Sequence, residues 1–265
     1  ILIFDSGVGG LSICQKLIEC APALRLHYLS DNAAFPYGKK SEQFLIDRAN
    51  HVINAALQKI DADIIVIACN TASTVVLPSL RNRLNIPVVG VGPAIKTAAE
   101  FTKTGVFGLL ATPGTVQRSY TRELIATFAS DKTVIAIGSN ELVELAENYL
   151  YSGEICKVTL QSIVEQFDEY HQSRNIDYMV LGCTHFPLIK AQLTELRPQW
   201  NWVDSGTAIA NRVISLLGDN WLLSPSTVKL EHKAWFTDIS NETARLQDFL
   251  ESHQFRQSQL LRTDK

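Results

Sequence analysis

Short apolar runs alternate along the chain with longer segments whose apolar residues recur at helical spacing. The runs predict buried strands at residues 1–4, 26–29, 64–68, 88–91 and 106–110. The segments between them predict helices at residues 11–20 and 41–59, and a third helix after residue 71. Strands that alternate with helices of this length form a mostly parallel sheet with right-handed crossovers. Ligands of such sheets bind beyond the carboxyl ends of the strands, so we expect the polar loops there to form the functional site.

The second half of the chain repeats the first with a period near 114 residues. Residues 63–69 (DIIVIAC) align with residues 177–183 (DYMVLGC), so that Asp, Val and Cys fall at identical offsets. Twenty residues beyond each cysteine the chain reads VGVGPAI in the first half and VDSGTAI in the second. This pattern predicts an α/β protein of two pseudo-symmetric lobes with mostly parallel sheets. The active site is then expected in the cleft between the lobes, flanked by Cys69 and Cys183.

Composition narrows the class of protein. The chain has 265 residues, of which 46% are hydrophobic and 19% charged, as in ordinary globular proteins and unlike disordered ones. Its net charge of −3 argues against a nucleic-acid footprint. The longest apolar runs fall far short of a membrane span, and no signal peptide precedes the first strand. We therefore expect a cytoplasmic protein that requires neither nucleic acid nor a membrane.

The cysteines are the most informative reactive side chains. Five are present without a CxxC pair, which argues against a disulfide framework or a zinc ribbon. Cys69 and Cys183 each follow a predicted strand and precede a predicted helix, whose first amides lower the pKa of a thiol below about 8.5. A single buried cysteine is more often a packing residue, which is how we interpret Cys14, Cys20 and Cys156. The repeated position of the other two favours a function.

Two thiols on opposite faces of a ligand suit the inversion of a stereocentre next to a carboxylate. One thiolate removes the α-proton as a base, and a thiol on the other face returns a proton as an acid. Each thiol needs a neighbour that manages its proton. Asp5 is the candidate beside Cys69, although it also fits the role of a helix cap. His185 is the candidate beside Cys183, although it also fits the role of a hydrogen-bonded loop histidine.

Three other kinds of site remain open at this point. The Gly-rich loop at residues 7–10 resembles a phosphate-binding turn, with Ser12 in place of the last glycine of G-x-G-x-x-G and Asp31 as the ribose-binding acid. A zinc site built from the two cysteines and His185 is the second option, with an atypical Cys-x-His spacing. A Cys–His hydrolase is the third, and it gives the duplicated cysteine no role.

Five segments resemble the glutamate racemases of the aspartate/glutamate racemase family. They are residues 5–12, 31–38, 68–73, 111–115 and 181–188, and the similarity runs from the start of the chain to about residue 210. The resemblance implies cofactor-independent conversion of L-glutamate to D-glutamate, which supplies peptidoglycan synthesis, with no metal. Aspartate racemases share the paired cysteines, but the combination of DSG, PYG, CNT and CTH favours glutamate.

The resemblance also implies the residues of the site. Cys69 takes the proton from D-glutamate with the help of Asp5. Cys183 takes it from L-glutamate with the help of His185. A glutamate of the second lobe belongs to this site, and Glu147 aligns with it, while Glu141 and Glu144 on the same stretch remain alternatives. The implied substrate contacts are Asp5, Ser6, Tyr37, Gly38, Asn70, Thr71, Thr112, Thr115, Thr184 and His185.

The resemblance further implies that the second lobe is inserted into the first. We expect the first lobe to comprise residues 1–92 and 207–265 and the second lobe residues 93–206. The expected partners are the substrate glutamate, a cell-wall precursor that acts as an activator, and a second copy of the chain in a homodimer.

Overall fold

The computed structural model describes residues 1–218, 231–239 and 246–263, without the side chains of residues 256 and 257. The chain divides into two compact units, Ile1–Val91 with Gly206–Lys265, and Gly92–Ser205. The expected assignment of residues 207–265 to the first lobe includes residues 219–230, 240–245 and 264–265, which lie outside the described residues. Within the described parts of the chain, no helix is long and apolar enough to cross a membrane.

Strands and helices alternate through most of the described chain. The strands are β1 (Leu2–Asp5), β2 (His27–Ser30), β3 (Ile65–Ile67), β4 (Val88–Gly90), β5 (Val106–Ala111), β6 (Thr133–Gly138), β7 (Tyr178–Leu181), β8 (Asn201–Val203), β9 (His232–Phe236) and β10 (Phe255–Leu260). The helices are α1 (Leu11–Cys20), α2 (Glu42–Leu57), α3 (Asn70–Arg83), α4 (Ile95–Phe101), α5 (Pro113–Gln117), α6 (Ser119–Phe128), α7 (Glu141–Ser152), α8 (Lys157–Glu165), α9 (Lys190–Leu196), α10 (Gly206–Leu217) and α11 (Gln247–Ser252). The 3-10 helices are Asn32–Ala34, Tyr37–Lys39, Gln166–Glu169, His171–Asn175 and Phe186–Ile189.

Each unit is built on a parallel sheet. In the first unit the strand order is β10-β9-β2-β1-β3-β4, and every described pair is parallel. In the second unit the order is β6-β5-β7-β8, again with parallel pairs. The segment β2-β1-β3-β4 therefore has the same strand order as β6-β5-β7-β8. The predicted α/β class with two sets of parallel strands is confirmed, whereas the sequence pattern gave no indication of β9 and β10.

Apolar spacing explains why the helices cover these sheets. In α2 the side chains of Leu45, Ala49, Val52 and Ile53 have no exposed surface, and their spacing of four, three and one residues forms one helical face. The helix begins after Ser41, whose hydroxyl accepts a hydrogen bond from the Phe44 amide at 3.3 Å. Full burial of a leucine or isoleucine contributes about 1.5–3 kcal/mol to folding. This core fixes the strand ends that hold the polar residues.

Candidate active site

The first unit presents Asp5 at the carboxyl end of β1. Its side chain is fully buried, and its Oδ1 and Oδ2 accept hydrogen bonds from the amides of Ser6 at 2.7 Å and Gly10 at 2.5 Å. A Cβ atom on residue 10 would lie 2.9 Å from the Cβ of Asp5 and 3.0 Å from the ring of Tyr28, so this position requires glycine. Asp5 thus fixes the Gly-rich loop before α1, although the N-cap residue of that helix is Gly10 and not Asp5.

Cys69 lies between the end of β3 and the start of α3. It is the N-cap residue of α3, so its thiol stands at the amide end of that helix, as the sequence predicted. The Cys69 sulfur lies 3.8 Å from the hydroxyl oxygen of Ser6, a contact within hydrogen-bond distance for sulfur. The structure therefore brings together Ser6 and Cys69, two of the expected site residues. Ser6 directly follows Asp5 in the sequence.

Two polar residues follow Cys69 and are equally enclosed. Asn70 is 4% exposed and Thr71 3% exposed, although both are in the first turn of α3. The described residues supply no hydrogen-bond partner for the Oδ1 atom of Asn70. A buried polar atom without a partner costs about 1–3 kcal/mol, so a ligand that donates a hydrogen bond there recovers part of that cost.

Asp31, at the end of β2, is the centre of a buried hydrogen-bond cluster. Its carboxylate accepts from the Tyr37 hydroxyl at 2.6 Å, from Nε and Nη2 of Arg48 at 2.9 and 2.6 Å, and from Thr237 Oγ1 at 2.8 Å. Burial and the adjacent carboxylate hold the pKa of Tyr37 well above its ordinary value. Because Asp31 is fully buried and engaged by three side chains, it does not fit the role of a ribose-binding acid.

The same cluster determines what the loop after β2 offers to a ligand. The Tyr37 side chain is 1% exposed and its hydroxyl is committed to Asp31. Gly38 follows it in the 3-10 helix Tyr37–Lys39 and is partly exposed. The Tyr37 hydroxyl therefore has no hydrogen left to donate to a ligand.

In the second unit Cys183 follows β7 after a glycine. A Cβ atom on Gly182 would lie 2.9 Å from the Cβ of Ala111, so glycine permits the close approach to β5. The helix predicted to open at Cys183 begins later, as the 3-10 helix Phe186–Ile189. Pro187 lacks an amide hydrogen and favours the first turn of a helix, which sets this later start. Cys183 therefore does not stand at the start of a helix as Cys69 does.

His185 lies beside the Cys183 thiol instead. Its Nδ1 atom is 3.8 Å from the Cys183 sulfur, and its Nε2 atom is 2.5 Å from Oε2 of Glu147. Burial alone would lower the pKa of His185, but the hydrogen bonds with Cys183 and Glu147 outweigh it and hold that pKa well above the ordinary value. Both hydrogen bonds therefore favour the cationic form of the imidazole, which lies between a thiol and a carboxylate.

The three candidate glutamates of α7 differ in position. Glu147 is 6% exposed and contacts His185, whereas Glu141 and Glu144 are exposed. The other carboxylate oxygen of Glu147, Oε1, accepts a hydrogen bond from the hydroxyl of Tyr151 at 2.6 Å. Tyr151 is not among the residues predicted from the sequence, and the signal available was its spacing of four residues from Glu147 on one helix.

The expected threonines of the second unit are buried in the segments that follow β5 and β7. Thr112 caps α5 by accepting a hydrogen bond from the Thr115 amide at 3.1 Å, and its hydroxyl donates to the Thr115 hydroxyl at 2.9 Å. Thr184, between Cys183 and His185, is 4% exposed.

Among the described residues no group of three or more His, Cys, Asp or Glu side chains is arranged to hold a metal ion.

Comparison with known proteins identifies the family. The family model described as Asp/Glu/Hydantoin racemase matches residues 1–213, well over half of the chain. The chain belongs to this racemase family. Its members named as glutamate racemase include one from Photorhabdus laumondii, 46% identical over 265 residues, which cover 99% of this chain and 91% of the relative. Another, from Pectobacterium atrosepticum, is 49% identical over 220 residues, which cover 83% of this chain and 76% of the relative.

A solved structure agrees with these relatives. The crystal structure of Escherichia coli glutamate racemase, in complex with L-glutamate and the activator UDP-MurNAc-ala, is 40% identical with a TM-score of 0.91. The match covers 100% of this chain and 98% of the Escherichia coli chain. Membership of this family makes the chain an amino-acid racemase, which is an isomerase.

Proposed function

We propose that this chain interconverts L- and D-glutamate without a cofactor and so supplies D-glutamate for peptidoglycan synthesis. The observation that carries the proposal is the pair of strand-end thiols, each with a hydrogen-bonding neighbour of its own. Cys69 has Ser6 at 3.8 Å, and Cys183 has Nδ1 of His185 at 3.8 Å. The glutamate racemase relatives support the choice of substrate.

The proposed reaction is a proton exchange at the α-carbon. From L-glutamate, the thiolate of Cys183 takes the α-proton, and the electron pair of the broken C–H bond stays on the α-carbon, delocalised into the carboxylate. The thiol of Cys69 then gives its proton to the opposite face, which forms D-glutamate and leaves a thiolate. The reverse reaction begins from this second protonation state. The chemistry requires that the two sulfurs reach opposite faces of the same carbon.

On the Cys183 side, the cationic His185 performs two tasks. Its Nδ1–H group donates to the Cys183 sulfur and so stabilises the thiolate that removes the α-proton of L-glutamate. Its Nε2–H group donates to Glu147, whose negative charge balances the imidazolium in a buried setting. The arrangement orients the imidazole as a carboxylate orients the histidine of a catalytic triad.

On the Cys69 side, the surroundings of the sulfur include backbone amides and a hydroxyl group. The N-terminal amides of α3 and the Ser6 hydroxyl stabilise negative charge on the Cys69 sulfur. Asp5 is assigned the assisting role by the family resemblance, and its hydrogen bonds to the Ser6 and Gly10 amides support it, because they fix the loop that carries Ser6.

The buried polar residues are assigned to substrate recognition. Asn70 Oδ1 suits the ammonium group of an amino acid, because it is a buried acceptor for which the described residues supply no donor. The carboxylates of glutamate are assigned to hydroxyl and amide donors near the strand ends. These donors are Ser6, Tyr37, Gly38, Thr71, Thr112, Thr115, Thr184 and His185.

The proposal extends to regulation and assembly. The Escherichia coli relative is described with the activator UDP-MurNAc-ala, and we assign this chain an activator of the same cell-wall precursor class. We also assign it a homodimeric state and a cytoplasmic location.

The proposal is tested by incubating the purified chain with L-glutamate, without a cofactor, and resolving the enantiomers by chiral chromatography. We expect D-glutamate to accumulate to equal amounts, and Cys69→Ala and Cys183→Ala each to abolish racemisation while remaining folded. Cys156→Ala is the matched control, because this cysteine is exposed and should leave the rate unchanged. Racemisation at a near-normal rate by either active-site variant would refute the two-thiol mechanism.

A further inference from the structure

Tyr151 lies one helical turn beyond Glu147 on α7, and both side chains are on one face of the helix. The Tyr151 hydroxyl donates to Oε1 of Glu147 at 2.6 Å, while Oε2 of the same carboxylate contacts Nε2 of His185 at 2.5 Å. The hydrogen-bond chain therefore continues beyond the histidine: Cys183, His185, Glu147 and Tyr151 are connected in that order.

We propose that Tyr151 is a positioning residue for the Cys183 half of the reaction. This inference rests on the racemase function proposed above and adds a residue to it. Tyr151 acts through Glu147 and His185, so its effect reaches Cys183 without contact with the substrate.

The hydroxyl of Tyr151 restrains the carboxylate of Glu147. Hydrogen bonds from an O–H or N–H group to an ionised carboxylate are roughly twice as strong as those between neutral groups. With donors on both oxygens, the carboxylate is held in one orientation and remains the charged partner of the His185 imidazolium. Without the Tyr151 hydroxyl, Glu147 gains rotational freedom and becomes a better acceptor for the His185 proton. Either change weakens the hydrogen bond that His185 offers to Cys183.

A racemase offers a test that separates its two halves. The equilibrium constant between enantiomers is one, so any variant lowers kcat/KM equally in both directions. The deuterium isotope effect on kcat/KM, in contrast, can differ between the two directions. When proton removal from L-glutamate by Cys183 becomes slower, that step limits the rate. The isotope effect of α-deuterated L-glutamate then rises, and that of α-deuterated D-glutamate falls.

The experiment compares Tyr151→Phe with Tyr149→Phe, which removes the same hydroxyl two residues away on the same helix. We expect Tyr151→Phe to lower kcat about tenfold with KM changed less than twofold, because a hydrogen bond to a charged group is lost. We expect the isotope effect to rise for L-glutamate and fall for D-glutamate. Tyr149→Phe should resemble the wild type in all of these, with circular dichroism checking that both variants are folded.

Three results would overturn the inference while the wild type remains an active racemase. They are an unchanged kcat in Tyr151→Phe, a loss confined to KM, or isotope effects that change equally for both enantiomers. A double variant, Glu147→Gln with Tyr151→Phe, provides an independent check. It should be no slower than Glu147→Gln alone, and a further tenfold loss would contradict an action through Glu147. An inactive wild type would instead refute the proposed function itself.

Discussion

The Nε2 atom of His185 lies 2.5 Å from Oε2 of Glu147, and both side chains are almost completely enclosed by protein. Burying two charges costs the free energy of their hydration, so a buried ion pair does not by itself indicate a gain in stability. Here one member also contacts the Cys183 sulfur. The Glu147 carboxylate therefore favours the cationic form of His185 beside the Cys183 thiol.

The first prediction concerns Glu147→Gln. The amide is neutral, so the imidazolium loses its buried counter-charge and His185 no longer donates as a stable cation to Cys183. We expect kcat/KM to fall by about 100-fold or more, in the range of a lost acid/base assistant. Glu141→Gln, an exposed change on the same helix, is the control and should be neutral. Equal activities of the two variants in a steady-state racemisation assay would contradict the role of Glu147.

The second prediction concerns Asp5→Asn. One oxygen becomes an amide NH2 group, which faces either the Ser6 or the Gly10 amide and cannot accept its hydrogen bond. We expect a loss of about 1–3 kcal/mol in the free energy of unfolding, measured in urea. Because Ser6 contacts Cys69, we also expect a larger isotope effect for α-deuterated D-glutamate than for L-glutamate. A larger effect for L-glutamate would exclude the pairing of Asp5 with Cys69.

A third prediction addresses the ion pair between Arg48 and Asp31. Arg48→Met removes the two-pronged partner of a fully buried carboxylate, which leaves that charge poorly compensated. We expect the free energy of unfolding to fall by about 3 kcal/mol. Arg83→Met, in which the removed guanidinium makes an exposed backbone contact, should cost under about 1 kcal/mol. Comparable urea midpoints for the two variants would show that the Asp31 cluster contributes little to folding.

Much of this arrangement was accessible from the sequence, and the exceptions have physical reasons. Strand-end positions and the internal repeat indicated Cys69 and Cys183, because parallel strands bring polar residues to one edge. The glutamate partner of His185 remained open among three candidates, since helical spacing alone does not reveal which side is buried. Arg48 was missed because its partner, Asp31, is distant in sequence. Tyr151 was missed because its partner, Glu147, was one of three candidate glutamates. The later start of the helix after Cys183 depended on Pro187.

The fourth prediction concerns acid stability and His232. This ring is 2% exposed, its Nδ1 accepts a hydrogen bond from the Leu26 amide at 3.2 Å, and burial lowers its pKa to about 4. The unfolded chain takes up this proton near pH 6.5 whereas the folded chain resists it until about pH 4. Stability from this source is therefore complete above pH 6.5 and falls as the pH drops through that window.

The measurement is urea unfolding of the wild type and His232→Asn at pH 7 and pH 5. Asparagine keeps an acceptor for the Leu26 amide but does not titrate, so its curve lacks this contribution. We expect the wild type to lose about 1–2 kcal/mol more than the variant between the two pH values. Equal losses would show that His232 is not held neutral in the folded protein. His27, whose pKa is lowered to about 4 chiefly by burial and to a smaller extent by His232, titrates in both proteins.

The most direct test of the two-thiol account is the reaction of L-glutamate in D2O without a cofactor, followed by proton NMR and chiral chromatography at early times. With separate acid and base groups on opposite faces, the proton removed is not the one returned. The two-thiol mechanism predicts that D-glutamate carries deuterium at the α-carbon from its first appearance. D-glutamate that retains the protium of the substrate would contradict it, because that result requires one group to move the same proton across both faces.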